Sequence, residues 1–172
     1  FVQSNDLFYG FDDQGLRLHD EDGKPITGDV TSAVDLWDAG TEVNQEPGVG
    51  PDQAPRQAGP NTGTDENAEV RLVVDLGDGF SYPADEQVIR LSLEHDGGTL
   101  FTFTIENISA GSSLPTPFAP GGWAIHKSGI RLFTDGQPAG SALEAVAEDG
   151  DNAAFTEELT NNTGYSSPYA PG

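Results

Sequence analysis

Apolar and polar residues alternate along several short runs of the chain, and each such run predicts a half-buried β-strand. The clearest is Leu100 to Ile108. Phe101, Phe103 and Ile105 share one face there, and Thr102, Thr104 and Glu106 share the other. Further strands are predicted at Phe1 to Phe11 (interrupted at Asn5-Asp6), Gly15 to His19, Val30 to Trp37, Glu69 to Asp75, Gln87 to Glu94 and Trp123 to His126. Turn signals separate them: Glu21-Asp22-Gly23-Lys24 reads as a hairpin, Gly77-Asp78-Gly79 as a turn, and His95-Asp96-Gly97-Gly98 as a tight connection. A convincing helix starts near Ser141, covers Ala142 to Ala147 and stops at Asp149-Gly150. A second short helix is predicted from Asp151 to Leu159, with Asp151 or Asn152 as its cap. Gln45 to Gly63 is rich in Pro, Gly, Gln and Asn and reads as a long loop, ordered or flexible. Many short strands with two short helices predict an all-β chain, built as an antiparallel β-sandwich.

Composition sharpens this picture. A length of 172 residues suits one domain with its own core. The 35% hydrophobic content, 22 glycines and 12 prolines leave disorder as a competing reading. The 9 phenylalanines, 4 tyrosines, 2 tryptophans and the β-branched runs favour a folded domain. The net charge of -22, from 29 acidic and 7 basic side chains, weighs against nucleic acid or an anionic membrane surface as partner. So many carboxylates repel one another in a compact state, and divalent cations or high salt would relieve that. A marine or hypersaline source fits such a balance. The chain has no cysteine, which excludes disulfides and thiolate metal sites. It has no methionine and begins at Phe1, so removal of a signal peptide or of part of a larger precursor is expected. No apolar run approaches membrane-spanning length, so membrane insertion is not expected.

The most informative motif is Leu36-Trp37-Asp38-Ala39-Gly40-Thr41-Glu42. Its two carboxylates lie four apart around a glycine turn and can point at one centre, an arrangement of hard oxygens that suits Ca²⁺. The segment resembles the Trp-Asp-Ala-Gly-Thr-Asp stretch of the spondin amino-terminal domain, the F-spondin and mindin module. Gln3 to Phe8 is similar to that family's Pro-Ser-Pro-Asp-Trp-Phe segment, and Thr102 to Ser109 to its first strand. Ile125-His126, Leu132-Phe133, Gly136, Pro138-Ala139, Leu143-Glu144 and Ala147 to Gly150 resemble its histidine-to-Ala-Glu-x-Gly region. Asn44 to Gly48 and Gln53 to Gln57 look like microbial members of the family.

The order of these segments is permuted. Residues 1–94 resemble the family's C-terminal part and residues 99–172 its N-terminal part. The chain therefore reads as a single spondin-like unit spanning 1–172. It could be a window across tandem repeats, a circular permutant, or a filament repeat that receives strands from a neighbour.

The resemblance implies a C2-like β-sandwich with a calcium site in its loops. Asp6, Asp38 and Glu42 are the implied ligands, completed by a backbone carbonyl and waters, since six to eight oxygens are needed. The family has Asp where Glu42 stands, and Glu reaches one carbon further. Glu148 matches the family motif and is expected near the metal or in a helix-end role. The structural alternative is that Asp6 caps a turn and Asp38 satisfies backbone donors after Trp37. Asp20 to Gly23 reads as a solvated turn, while Asp149 and Asp151 read as a helix end and a helix cap. Trp37 and Trp123 are expected to anchor the core. His126 is expected to be structural, because His19, His95 and His126 lack zinc spacing. Neither a nucleophile elbow nor a phosphate loop occurs, so no enzyme is expected. Asn107 and Asn161 fit the glycosylation acceptor pattern. The expected function is an extracellular or cell-surface calcium-binding adhesion or structural module. Its expected partners are other copies of itself or a surface protein or glycan. One alternative is a filament repeat assembled by sheet-edge pairing, and another is a secreted hydrolase.

Overall fold

The computed structural model describes residues 3–126, 131–163 and 166–169. In chain order it has β1 (Leu7–Phe11), β2 (Gly28–Asp29), β3 (Val34–Asp38), β4 (Arg71–Leu72), β5 (Ile89–Gly97), β6 (Leu100–Asn107) and β7 (Gly121–Ala124). Two short helices follow, α1 (Ser141–Asp149) and α2 (Ala153–Thr163), and then β8 (Ser166–Tyr169). All strand pairs among the described residues are antiparallel. The sheets run β1-β3-β4, β2-β5-β6 and β7-β8.

Period-two alternation decides what the first sheet covers. In β1 and β3, Phe8 faces Trp37 across the ladder, and Leu7 faces Asp38. Phe8, Trp37 and Leu72 pack with Ala142 and Leu143 of α1 and Phe155 and Leu159 of α2. The residues between them turn the other way. Leu7 and Leu36 join Val73 and Val88, while Tyr9, Phe11 and Val34 join Ile89, Leu91, Leu93, Phe101 and Ile105. Leu91 and Leu93 are fully buried, and each such leucine contributes on the order of 2 kcal/mol.

The helices end as their sequence directs. Gly150 takes a left-handed φ of 67°; its N–H reaches the Val146 carbonyl and the Asp151 N–H the Ala145 carbonyl, closing α1. Asp151 Oδ1 then accepts the Ala153 N–H at the start of α2.

Several strand expectations are corrected. Gly15 to His19 is a loop with one bridge, His19 to Pro25; its alternation reflects Leu16 and Leu18 dipping into the core. Residues 3–6 form a turn before β1, held by the Leu7 N–H on Ser4 Oγ. The strand expected from Glu69 stops at Leu72, where the chain enters a 3-10 turn that leaves Val74 86% exposed. Trp123 is 45% exposed and is not a core anchor, unlike Trp37 at 3%. Strand β8 carries Pro168 and pairs with β7, a strand that the residue pattern does not signal. No helix among the described residues is long and apolar enough to cross a membrane.

Candidate metal centre

Two segments far apart in sequence build the site. The first is the turn Ser4-Asn5-Asp6 leading into β1, and the second is the Asp38 to Glu42 turn leaving β3. Register brings them together, because Leu7 pairs with Asp38 and the Ala39 N–H returns to the Asp6 carbonyl. The turn depends on Gly40. Its φ is +69°, and a Cβ there would lie 2.7 Å from the Glu69 carbonyl oxygen.

Asp6 is fully buried. Its Oδ2 accepts the Thr41 N–H at 2.8 Å, the Glu42 N–H at 3.1 Å and the Thr41 hydroxyl at 3.2 Å. Its Oδ1 is buried with no hydrogen-bond partner. Burial, and then the neighbouring Asp38 carboxylate, push the Asp6 carboxyl up to about 8 against the pull of the Thr41 and Glu42 donors.

Asp38 is also fully buried, but both its oxygens are engaged. Oδ1 accepts the Gly40 N–H at 2.6 Å, and Oδ2 takes Asn44 Nδ2 at 2.8 Å and Arg71 Nη2 at 3.4 Å. Arg71 also pairs with Glu66 at 2.7 Å. The turn-capping roles anticipated for Asp6 and Asp38 are therefore both present.

Glu42 is buried and accepts Asn5 Nδ2 at 3.1 Å. Burial raises its pKa, as do the acidic neighbours Asp52, Asp149 and Asp65. Its carboxylate lies close against Gly63, where an added Cβ would lie 2.5 Å from it and the end of the Glu42 side chain would have to shift. Glu148 sits buried in the last turn of α1, where helix carbonyls already disfavour negative charge. Burial raises its pKa to about 7, and Glu42, Glu144 and Asp149 add to that; a hydrogen bond with the Thr41 side chain opposes it. Thr41, hydrogen-bonded to Asp6, thus also lies within electrostatic reach of Glu148.

The long loop closes the site and is ordered by side-chain amides. Gln53 is fully buried and donates to the Gln45 and Glu46 carbonyls, and the Gln45 N–H reaches Asn5 Oδ1. At its far end, Asp149 Oδ1 accepts Gln57 Nε2 and Oδ2 accepts the Asn61 N–H. Asn5, Thr41, Asn44, Gln53 and Arg71 are site residues that sequence reasoning missed. Asn5, Thr41, Asn44 and Gln53 lie in segments that the family resemblance singled out, but none was read as a site residue, and Arg71 carried no signal.

The four expected ligands thus share one neighbourhood, in which the Asp38 charge acts on Asp6 and the Glu42 charge on Glu148. No group of three or more acidic or histidine side chains among the described residues is set to hold a metal ion. The donors of the four side chains are all hard oxygens, and Asp6 Oδ1 is the one atom among them that is buried and unpartnered.

The other candidates are plain. Asp20 Oδ1 accepts the Asp22 and Lys24 N–H groups in an exposed turn, as expected of a solvated loop. The His126 ring lies against Gly15. Asn107 is tied to the Thr116 carbonyl and to Ser109. A separate cleft of about 500 Å³ is lined by Asp35, Asp78, Asp85, Phe80, Tyr82 and Val74, among others.

Comparison with protein-family models, with curated proteins and with solved structures finds no match for the chain. The spondin resemblance therefore rests on the residues that carry it.

Proposed function

We propose that this chain is a calcium-stabilised structural β module of spondin type, acting at a cell surface or outside the cell in adhesion or assembly. In this reading the β1-β3-β4 and β2-β5-β6 sheets are the two layers of a C2-like sandwich, with the helices outside. The observation that carries the reading is Asp6 Oδ1, a fully buried and unpaired carboxylate oxygen beside Asp38 in a chain of net charge -22. Such an oxygen needs a proton or a cation. Calcium bound to Asp6, with Glu42 or Glu148 and backbone oxygens, would neutralise the converging charges and fix the Asp38–Glu42 turn against the long loop. The residues of this chain supply position and exclusion of water; the role is structural rather than catalytic. Other copies of the chain, or a surface protein or glycan, would be the partners.

Calorimetric titration of calcium into wild type and Asp6→Asn at high sodium chloride tests this. The reading expects saturable binding in wild type, weakened at least about tenfold in the variant. Equal binding in both removes Asp6 from the site. Equal binding of magnesium marks diffuse attraction to an acidic surface.

A hydrolase reading has one observation on its side. In the separate cleft, burial and then Asp35 and Glu86 push Asp85 up to about 6, a value suited to proton transfer near neutrality. Turnover of a model ester or glycoside that is abolished in Asp85→Asn would establish it, and no turnover in wild type would oppose it.

A further inference from the structure

Strand β6 forms one edge of its sheet, and its outer side is unpaired among the described residues. Register says which groups that side presents. The Ile108 N–H bonds the Val88 carbonyl at 2.8 Å, and β6 continues from there in strict antiparallel pairing with β5 as far as Phe101 opposite His95. Hydrogen-bonded and non-hydrogen-bonded pairs alternate along such a ladder, so even-numbered β6 residues bond inward. The N–H and C=O groups of Phe101, Phe103 and Ile105 therefore point outward.

This edge lacks the usual protection. It has no lysine and no proline, and the only irregularity in the pair lies between His95 and Gly97, at the hairpin end. Its apolar face is incompletely covered, with Phe103 39% exposed and Leu100 62% exposed on the reverse face. Charge points the same way. Glu106 is the only charged residue of β6, and Arg90 on β5 pairs with it at 3.5 Å. On a chain of net charge -22, this is a place where two copies can approach.

We propose that β6 is a homodimer edge, pairing antiparallel with β6 of a second copy about a two-fold axis at Phe103. The sequence is self-complementary in this register. Phe103 meets Phe103, Phe101 meets Ile105, Thr102 meets Thr104, and Glu106 meets Leu100 rather than another acid. The opposed odd-numbered residues are those with free outward groups, so about six main-chain hydrogen bonds form. The sheet becomes a continuous β2-β5-β6-β6-β5-β2. The pairing is isologous and closes at two copies, so it cannot by itself build a filament. It stands independently of the calcium reading.

Sedimentation equilibrium of wild type and Phe103→Lys, in calcium and high salt, tests the interface. Phe103→Lys lowers the net negative charge yet sets two ammonium groups face to face. The dimer should therefore weaken at least about tenfold although overall repulsion falls. Circular dichroism confirms that the variant is folded. The chain has no cysteine, so a second variant gives an unambiguous signal. Phe103→Cys should form a disulfide-linked dimer under mild oxidation, because paired Cα atoms about 5.5 Å apart are bridgeable. Val74→Cys, more accessible still at 86% exposure against 39% for Phe103, should not. A monomer at all concentrations, a dimer unaffected by Phe103→Lys, or equal crosslinking of both cysteine variants overturns the proposal.

Discussion

Asp6 holds Thr41 across the chain: one carboxylate oxygen takes both the Thr41 N–H at 2.8 Å and the Thr41 hydroxyl at 3.2 Å, while its other oxygen is buried without a partner. This half-satisfied group joins the two turns of the site. It is a structural bond and, at the same time, a source of instability.

Replacing Asp6 separates the two effects. Asp6→Ala leaves the Thr41 and Glu42 N–H groups without their acceptor and should destabilise by about 2–4 kcal/mol. Asp6→Asn keeps an acceptor oxygen and removes the charge beside Asp38. In chelator it should equal or exceed wild type in urea unfolding. With calcium the order should reverse. An Asp6→Asn variant that is less stable than wild type under both conditions would deny the group its strain.

Asp38→Ala should lower stability even in chelator, by about 1–3 kcal/mol, because Gly40, Asn44 and Arg71 all lose their acceptor. Denaturant midpoints in chelator check this. A shift confined to calcium-containing buffer would mean that Asp38 acts only through the metal.

Gly63→Ala should disturb the site from outside it. Its Cβ would fall 2.5 Å from the Glu42 carboxylate, whereas a Cβ on Gly59 meets nothing within 4 Å. Overpacking should destabilise Gly63→Ala by about 1–3 kcal/mol and leave Gly59→Ala nearly neutral. Similar melting temperatures for the two variants would contradict this close approach.

Asp85 gives a pH dependence away from the site. Its folded-state pKa is raised to about 6 from an ordinary 3.8, so protonation favours the fold. The folded state binds more protons between those values. The stability linked to Asp85 is therefore present at low pH and lost as pH rises through about 6. Asp85→Asn should match wild type near pH 4 and melt higher at pH 7.5. A melting difference that does not vary across that window would rule out the shift.

Elements whose pattern is set by their own residues were legible. The Phe101-Phe103-Ile105 alternation became β6, and Gly150 closed α1 near where the helical pattern ended. Alternation alone could not tell a strand from a loop that drops Leu16 and Leu18 into the core. Nor could it tell that Val73 and Val74 leave the sheet in a tight turn. Asp38 and Glu42 were visible together in one motif, whereas Asp6 and Glu148 were singled out only through the family resemblance, in two separate stretches. The network around them was not legible, because Asn5, Gln45 and Gln53 meet only after the long loop has folded back. Arg71 reaches Asp38 through the β3-β4 pairing, which a two-residue strand scarcely signals.

Thermal unfolding of the chain in calcium and in chelator, at matched high ionic strength, tests the central claim most directly. Matching removes the effect of salt on acidic repulsion. The account predicts a cooperative transition that calcium raises by several degrees and magnesium does not, since a ligand bound to the folded state alone stabilises it. Coincident transitions in calcium and chelator would contradict it, and would leave Asp6 as a structural carboxylate with no metal to meet.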